Sequence, residues 1–422
     1  MSISNILSRI KVCFKNELPE EDGRTKIQPV DFISALICGI GMKDTRVRSI
    51  NTLRKSVIEL TGQHLSRGTF WERLATPRLT RLLQSLMYAL MDQICLQLGV
   101  GQSITNSIGV CRIFLLDSSS ITLPPGARGS FPASRSNVIP AAIKVHALWD
   151  LFGGIVKWFE MTPAKTHDRK GFPPLELLVG SLIIFDLGYW DFQLLKDMMD
   201  AGVFFLSRVK SNARVEILKT VSGASKTCIG YDLHSGRMSG YRGDIVEIIG
   251  KFIIPKTRDS FESRVIGFWN PNDSSYYWYV TNLKVSSVLI YPLYRLRWQL
   301  ELLWKSWKGC LLLDEVTSEN KHIIMNLTLV GMCASMLAGT ISIAVLNEKK
   351  KEIQTANSVQ RSASMFIRIG NKMFDFISEQ TRVAKATLIT AIDLFKDELF
   401  DPNYNSRIGS LQRVFLAAVE TS

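Results

Sequence analysis

The stretch that decides the fold spans residues 294–308 and reads YRLRWQLELLWKSWK. If it forms one continuous helix, at about 100° per residue, five polar side chains fall within an arc of about 80° on one face. One carboxylate among cations suits a site in which the acid holds a metal ion and the cations hold phosphates. A solvated helix surface, with a Glu–Lys pair at i,i+4, would give the same spacing. The five side chains are those of Tyr294, Arg297, Glu301, Lys305 and Lys308.

Two further acids follow apolar runs upstream of this stretch. The run at residues 111–116 ends at Asp117, before three serines, and the run at residues 181–185 ends at Asp186. A buried strand that delivers an acid at its C-terminal end is a common way to build a metal site. Turn chemistry at a strand end would explain each acid taken alone. Together with Glu301, the two acids predict three convergent carboxylates.

The order of residue types adds a second indication. The pattern Tyr-x2-Arg-x3-Glu-x6-Lys is met in full within residues 294–308, and Asp186 is followed by LGYWD. Both features resemble the insertion-sequence-four family of bacterial transposases, whose catalytic triad is Asp-Asp-Glu. The resemblance covers the middle of the chain, about residues 110–320.

This resemblance implies a ribonuclease-H-like core, in which a mixed sheet is flanked by helices. Asp117, Asp186 and Glu301 would be the catalytic residues and would hold two Mg²⁺ ions about 4 Å apart, which Mn²⁺ can replace. Ligation by carboxylates alone favours these ions over zinc. The implied activity is that of a DNA transposase. Metal-dependent hydrolysis would cut the ends of an insertion sequence, and transesterification would join those ends to target DNA.

The implied partner is double-stranded DNA, both the terminal inverted repeats of the element and its target, bound by at least a homodimer. Tyr294, Arg297 and Lys308, with Lys305 on the same face, would grip phosphates beside the cut. Two rival classes are a non-catalytic DNA-binding protein derived from a transposase and a metal-dependent nuclease with the same core. The complete triad weighs against the first class. The inserted unit and the Tyr-Arg-Glu-Lys face weigh against the second.

Between the two aspartates the sequence predicts a hairpin and a loop. Residues 144–150 and 155–162 are strand-like runs joined by LFGG, a hairpin signal. His167 and Asp168 then open a loop, either as groups near the metals or, as we favour, as loop caps. A short helix is predicted at residues 173–180.

After Asp186, Asp191 is predicted to cap a helix, and residues 202–210 form another strand. Arg208 and Lys210 at its end fit phosphate contacts, with ordinary surface charge as the alternative. Glu301 lies 115 positions after Asp186, which is too far for a simple loop and indicates an inserted unit.

The inserted unit, residues 212–287, alternates strand-like runs with turn residues. Transposases of the resembled family carry such a β-rich insertion, and an aromatic side chain from it can stack on a base flipped out of the duplex. Tyr277 and Trp278 are the nearest matches, and the sequence does not choose between them. The predicted strands are residues 245–254, 263–269 and 276–282.

Residues 1–105 are predicted to form a helical DNA-binding region. Ser66 would cap a helix that resembles a recognition helix, from which Arg67 and Arg73 would face a groove or phosphates. A basic helical bundle without DNA contacts is the alternative. Helical periodicity covers residues 5–14, 29–40, 47–60 and 78–98.

The composition is consistent with a polyanionic partner in a reducing compartment. The chain has 422 residues, with 51 basic and 38 acidic side chains and a net charge of +13, which favours nucleic acid binding. Its seven cysteines include no Cys-x-x-Cys, which argues against a disulfide framework and a zinc site. Residues 1–19 do not form a signal-peptide pattern. The expected location is the bacterial cytoplasm, in association with the nucleoid.

Residues 323–346 form an uncharged run of 24 residues, long enough to span a bilayer. Because the run includes Asn326 and several Ser, Thr and Gly residues, we favour a buried core helix and expect no membrane partner. The expected fold is α/β, with a ribonuclease-H-like catalytic core, a β-rich insertion and helical N-terminal and C-terminal regions. The predicted divisions are residues 1–105, 106–211, 212–287, 288–348 and 349–422; the last contains helical runs at 363–377 and 382–399 that could pair protomers.

Overall fold

The computed structural model describes residues 2–18, 26–40, 49–93, 99–134, 137–235, 244–255, 257, 259–309, 316–348, 359–379, 381–395 and 398–399. Within these residues the fold is mixed α/β, as predicted, and is built on one nine-stranded sheet. The strands are β1 (Ile113–Leu123), β2 (Ala141–Asp150), β3 (Ile155–Pro163), β4 (Leu182–Phe185), β5 (Phe204–Arg208), β6 (Val215–Ser222), β7 (Ile245–Ile253), β8 (Ser260–Asn270) and β9 (Ser275–Thr281).

The strand order is β3-β2-β1-β4-β5-β9-β8-β7-β6. β1 pairs antiparallel with β2 and parallel with β4, and β4 pairs parallel with β5. An antiparallel β1–β2–β3 unit followed by two parallel strands is the mixed sheet expected of the ribonuclease-H-like core. The predicted hairpin is confirmed as β2 and β3, joined by residues 151–154.

The first strand is longer than predicted. Its apolar half is buried up to Leu116, but the strand continues through Asp117 to Leu123 instead of ending at the acid. The reason is a difference between its two neighbours. β4 pairs with β1 only as far as Leu116, whereas β2 pairs with it as far as Leu123. The three serines after Asp117 therefore lie in a strand and not in a turn.

The β-rich insertion extends the core sheet. The three strands expected in it are present as β7, β8 and β9, and β6 is an additional strand that the sequence analysis did not identify. β9 pairs antiparallel with β5 and with β8. The inserted strands therefore continue outward from the edge that β5 would otherwise leave open.

Twelve α-helices lie within the described residues. Helices occur where periodicity predicted them, except that the run expected to reach residue 399 ends at Asp393, and residues 41–48 and 94–98 of the N-terminal runs lie outside the described ranges. The helices are α1 (Ile3–Glu17), α2 (Pro29–Gly39), α3 (Ile50–Thr61), α4 (Arg67–Leu74), α5 (Pro77–Gln93), α6 (Gly99–Ile108), α7 (Phe192–Asp200), α8 (Ile290–Arg295), α9 (Trp298–Gly309), α10 (Lys321–Glu348), α11 (Val359–Glu379) and α12 (Arg382–Asp393).

The apolar helix α10 lies in the core. It is long and apolar enough to cross a membrane, but 94% of its most apolar window is buried inside the protein. Asn326 Nδ2 donates to the Leu74 carbonyl at 2.8 Å, and a Cβ on Gly339 would lie 2.6 Å from the Gly154 carbonyl oxygen in the β2–β3 turn. The helix thus packs directly on the sheet, and the preference for a core helix is confirmed.

Two predicted helices differ in the structure. Residues 294–308 are not one continuous helix, because α8 ends at Arg295 and α9 begins at Trp298. The Arg297 N–H donates to the Tyr294 carbonyl at 3.0 Å, an i to i+3 bond that tightens the chain at the break. The helix expected at residues 173–180 is only a 3₁₀ turn at Leu175–Leu177, since two consecutive prolines open it and Gly180, at φ 71°, ends it.

The division of the chain into five parts stays a prediction. One hydrophobic core contains side chains from the first, second, fourth and fifth parts, including Phe14, Leu115, Leu337 and Phe366. α11, from the last part, packs against α2 and α10. The described terminal helices therefore form one layer with the helices beside the sheet.

Candidate active site

The parallel pairing of β1 and β4 places the two aspartates side by side. Leu116 is paired with Phe185, so Asp117 and Asp186 are the next residues on two neighbouring strands. Asp117 Oδ1 accepts a hydrogen bond from the Ser118 N–H at 2.8 Å. Both aspartates are half-buried at the same edge of the sheet, which confirms the convergence of the two apolar runs.

The break between α8 and α9 brings the remaining polar groups onto the aspartates. The Arg297 guanidinium lies between two acids, with its Nη1 3.5 Å from Asp117 Oδ2 and its Nη2 3.4 Å from Glu301 Oε1. The Tyr294 hydroxyl lies 3.4 Å from Asp186 Oδ1. At these distances the attraction is mainly between charges and dipoles. The three predicted acids, from β1, the end of β4 and α9, form one cluster around Arg297 and Tyr294.

The electrostatics of the cluster favour a cation. Burial raises the pKa of the Asp117 carboxyl and Asp186 raises it further, whereas the Ser118 N–H and Arg297 lower it. Burial and the charge of Asp186 raise the pKa of Tyr294 to about 12, so the phenol keeps its proton and can donate it in a hydrogen bond. Two adjacent, partly desolvated carboxylates are stable in the charged state only beside positive charge.

The donor set fits a hard divalent cation. Its oxygen ligands are those that Mg²⁺ and Mn²⁺ prefer, and Arg297 marks the place where positive charge is held. Within the described ranges, no three His, Cys, Asp or Glu side chains are close enough to share one metal ion. Arg297 keeps Asp117 and Glu301 apart, so the three acids could ligate ions together only if its guanidinium moved aside. Its buried Nε has no hydrogen-bond partner among the described residues.

The two lysines of the motif lie beside the acids without contacting them. Lys308 Nζ donates to the Ser120 carbonyl on β1 at 3.0 Å, and Lys305 is exposed. From β5, the Arg208 guanidinium lies 5.2 Å from the centre of the Tyr277 ring. Lys210 Nζ donates to the Trp190 carbonyl at 2.9 Å. Arg208 and the two lysines of the motif thus form a basic flank along the same edge of the sheet.

The two candidate aromatic residues have different environments. Trp278 is 9% exposed and packs over Gly267, where a Cβ would lie 2.5 Å from the indole. Tyr277 is half-buried, and its hydroxyl contacts Asn270, at 2.9 Å, and Asp273. Tyr277 therefore presents a more accessible ring, whereas Trp278 is mainly a packing residue.

A pocket of about 440 Å³ lies beside Asp186. Leu187, the residue after the second aspartate, lines it together with Arg208 and a group of aromatic side chains on β8 and β9. This combination of apolar rings and one guanidinium suits a flat, polar-edged ligand. The aromatic lining residues are Trp269, Tyr276, Tyr277 and Trp278.

The N-terminal candidates lie on α4, apart from the acidic cluster. The Ser66 side chain accepts from the Thr69 N–H at 3.1 Å, which confirms the predicted helix cap. Arg67 is exposed. Arg73 donates to the Ile27 carbonyl at 2.7 Å and stacks over Phe32 at 4.7 Å, so its guanidinium is engaged within the protein.

The loop after β3 contributes a group that sequence reasoning undervalued. His167 Nδ1 accepts from the Arg169 N–H at 3.3 Å, as expected of a loop cap. Asp168, however, contacts the Ser118 hydroxyl at 3.2 Å and Lys144 at 2.7 Å. The expectation that it caps the loop is therefore wrong. The signal available was a second acid beside a histidine, which does not reveal which strand the acid approaches.

The family model described as "Transposase DDE domain" matches residues 110–337, which contain all three acids. The transposase of insertion sequence element IS231F from Bacillus thuringiensis subsp. israelensis is 23% identical over 313 residues, 64% of this chain and 65% of that protein. The transposase of element IS1151 from Clostridium perfringens is also 23% identical, over 324 residues, 66% of this chain and 67% of that protein. The aligned part thus spans about two thirds of these relatives.

A solved piggyBac transposase, from a synaptic complex with hairpin DNA, is 10% identical and superposes with a TM-score of 0.45 over 92% of this chain and 82% of that one. This structural likeness is distant. The family match covers more than half of the chain and includes the strands and the helix that carry the acids. The protein therefore belongs to the family of transposases with a DDE domain.

Proposed function

We propose that the protein is a DNA transposase that binds the terminal inverted repeats of an insertion sequence, cuts the DNA at its ends and joins those ends to target DNA. The observation that carries this proposal is the cluster formed by Asp117, Asp186 and Glu301 around the Arg297 guanidinium. The acids come from separate elements, and the family matches over the segment that contains them.

The three acids are proposed as the catalytic residues and as the ligands of two Mg²⁺ ions, with Mn²⁺ as a substitute. Such ions supply a nucleophile at neutral pH and stabilise the leaving oxygen in phosphodiester hydrolysis and transesterification. Asp117 and Asp186 would lie on one side of the reacting phosphate and Glu301 on the other. Displacement of Arg297 from Asp117 and Glu301 would open the site to the ions.

The basic groups around the acids are proposed as DNA contacts. Arg297, released from the acids, would donate its unpartnered Nε–H to a phosphate, and Tyr294 would hold a phosphate oxygen through its hydroxyl. Lys305, Lys308, Arg208 and Lys210 would bind the backbone on either side of the cut, which orients the strand for in-line attack. Arg67 extends these contacts on the N-terminal helices, whereas Arg73 is better placed to stabilise α4.

The aromatic pocket is proposed to hold a base next to the cut. Tyr277 and Arg208 offer a ring and a guanidinium on which a flipped base can stack, and stacking offsets part of the lost base pairing. Of the two candidates, Tyr277 is preferred because Trp278 is buried against Gly267. Two ends cut in concert imply at least a homodimer on DNA, and the proposed location is the bacterial cytoplasm, at the nucleoid.

The test is a nicking reaction on a labelled duplex that carries the end of the flanking element, with Mg²⁺ or with EDTA. The expected result is metal-dependent cutting at the element boundary by the wild type and none by Asp117→Asn. Specific binding with no cutting in Mg²⁺ or Mn²⁺ would contradict the proposed activity.

A further inference from the structure

A polar network links the two strands that carry the aspartates. Asp168 Oδ1 accepts from Lys144 Nζ at 2.7 Å and from the Ser118 hydroxyl at 3.2 Å. Ser118 follows Asp117, and its backbone N–H holds the Asp117 carboxylate at 2.8 Å. Through Ser118, Asp168 is therefore one residue away from the first metal ligand proposed above.

The same carboxylate also reaches the segment after the second aspartate. A Cβ on Gly188 would lie 2.5 Å from Asp168 Oδ2, so only glycine leaves space for this approach. Gly188 is two residues after Asp186 in the turn that follows β4. One side chain thus contacts a residue next to Asp117 with one oxygen and packs against the turn after Asp186 with the other.

A buried histidine supports the network from below. His146 Nδ1 and the Tyr189 hydroxyl are 2.7 Å apart, and His146 Nε2 lies 3.1 Å from the Thr162 hydroxyl. A Cβ on Gly171 would lie 2.4 Å from the imidazole, so the loop that carries Asp168 packs directly against this ring. Both ring nitrogens have partners, which fixes the ring orientation.

The charge of Asp168 is balanced within the network. Lys144 donates to Asp168 and to the Thr166 carbonyl at 2.9 Å, and only 13% of its side chain is exposed. A neutralised carboxylate adds little repulsion to the neighbouring aspartates and acts as a hydrogen-bond acceptor. Groups that orient ligands in this way commonly change metal affinity by about 10- to 100-fold when they are removed.

We propose that Asp168 is a positioning residue that fixes Asp117 and Asp186 relative to each other, through Ser118 on one side and Gly188 on the other. The inference rests on the proposed metal-dependent function, because its effect is on the geometry of the metal ligands. Asp168 itself is not a metal ligand in this assignment.

The test measures Mn²⁺ binding to the full chain by the loss of the free Mn²⁺ signal in electron paramagnetic resonance. Asp168→Asn keeps the shape of the side chain, and Gly188→Ala displaces the carboxylate from the turn. Each variant is expected to raise the Mn²⁺ half-saturation concentration about 10-fold. The double variant should be little worse than either alone, since both changes act through the same contact. Asp200→Asn, an exposed acid on α7, is the matched control.

The outcomes separate this inference from the proposed function. Wild type and Asp200→Asn that bind Mn²⁺, with weaker binding by the two variants at unchanged thermal stability, support a positioning role. An unchanged half-saturation concentration in folded Asp168→Asn overturns it, and so does complete loss of Mn²⁺ binding, which would make Asp168 a ligand. If Asp168→Asn does not fold, Gly188→Ala alone decides in the same way. A wild type that binds no Mn²⁺ would instead contradict the metal-dependent function.

Discussion

The two halves of the sheet bring different chemistry to the same edge. The half formed by β1 and β4 carries two acids, held apart by charge pairing with Arg297 and Tyr294. The half formed by β5 and β9 carries rings and a guanidinium, held by packing and by hydrogen bonds such as that of Tyr277 with Asn270. The first arrangement can change when other charges arrive, whereas the second is set by the folded sheet.

This difference separates catalysis from recognition. Ion pairs that are only partly buried are weak and can exchange partners, so the acids can pass from Arg297 to metal ions while Arg297 passes to a phosphate. An aromatic pocket keeps its shape and can receive a base without rearrangement. Changes in the acidic half should therefore alter cutting, and changes in the aromatic half should alter the placement of the substrate.

The largest effect is expected for Glu301→Gln. Loss of the charge removes a metal ligand, so cleavage should fall by at least about 1,000-fold, equivalent to roughly 4 kcal/mol of transition-state stabilisation. Binding to the element end, measured by gel shift, should stay within about twofold, because Glu301 is not a DNA contact. Glu262→Gln, an exposed acid on β8, is the control. Undiminished nicking by Glu301→Gln would remove this residue from the site.

A smaller effect with two opposite signs is expected for Arg297→Ala. DNA affinity should weaken and the slope of log affinity against log salt should fall by about one, because one phosphate contact is lost. Mn²⁺ should bind more tightly in the absence of DNA, since the guanidinium no longer competes for Asp117 and Glu301. Weaker Mn²⁺ binding, or an unaltered salt slope, would show that Arg297 does not exchange the acids for a phosphate.

The aromatic half is tested by comparing Tyr277 with Trp278. Tyr277→Ala should slow cutting about tenfold, in line with a stacking energy of about 1–3 kcal/mol, and Tyr277→Phe should restore most of the rate. Trp278→Ala should instead lower the free energy of unfolding by about 3–5 kcal/mol, because it empties a packed site. Chemical denaturation and single-turnover cleavage separate the two effects. A slow but stable Trp278→Ala would reverse the assignment.

The smallest effects are expected on α4. Arg67→Ala should reduce affinity for any DNA sequence by less than about 1 kcal/mol, as for one exposed phosphate contact. Arg73→Ala should lower stability by about 1–2 kcal/mol, because its guanidinium bonds to the Ile27 carbonyl and stacks on Phe32. Gel shifts and thermal unfolding of both variants would settle the roles, and weaker DNA binding by a fully stable Arg73→Ala would exchange them.

Much of the site could be predicted because its residues are spaced by local rules. Two apolar runs that end in acids identify neighbouring strands, and the order of Tyr294, Arg297 and Glu301 identifies the third element. Pairing could not be predicted in the same way. The extension of β1 beyond Asp117 follows from its bonds to β2, a partner more than 20 residues away in sequence.

The remaining differences also have tertiary causes. The break before α9 leaves the residue order intact, and periodicity alone cannot detect a single i to i+3 turn at Arg297. The choice between Tyr277 and Trp278 depends on the space over Gly267 on the neighbouring strand. Asp168 looked like a loop cap because its partner Lys144 lies on β2, 24 positions earlier.

The most direct test of the central claim is to map where a divalent ion binds on the protein itself. Fe²⁺ would replace Mg²⁺, and hydroxyl radicals generated at the ion with ascorbate and peroxide would cut the nearby backbone, with the fragments located by mass spectrometry. The account predicts cuts near Asp117, Asp186 and Glu301 together, suppressed by excess Mg²⁺ and absent in Asp117→Asn. Cuts at only one of these segments, or cuts elsewhere that Mg²⁺ suppresses, would contradict a single site built from the three acids.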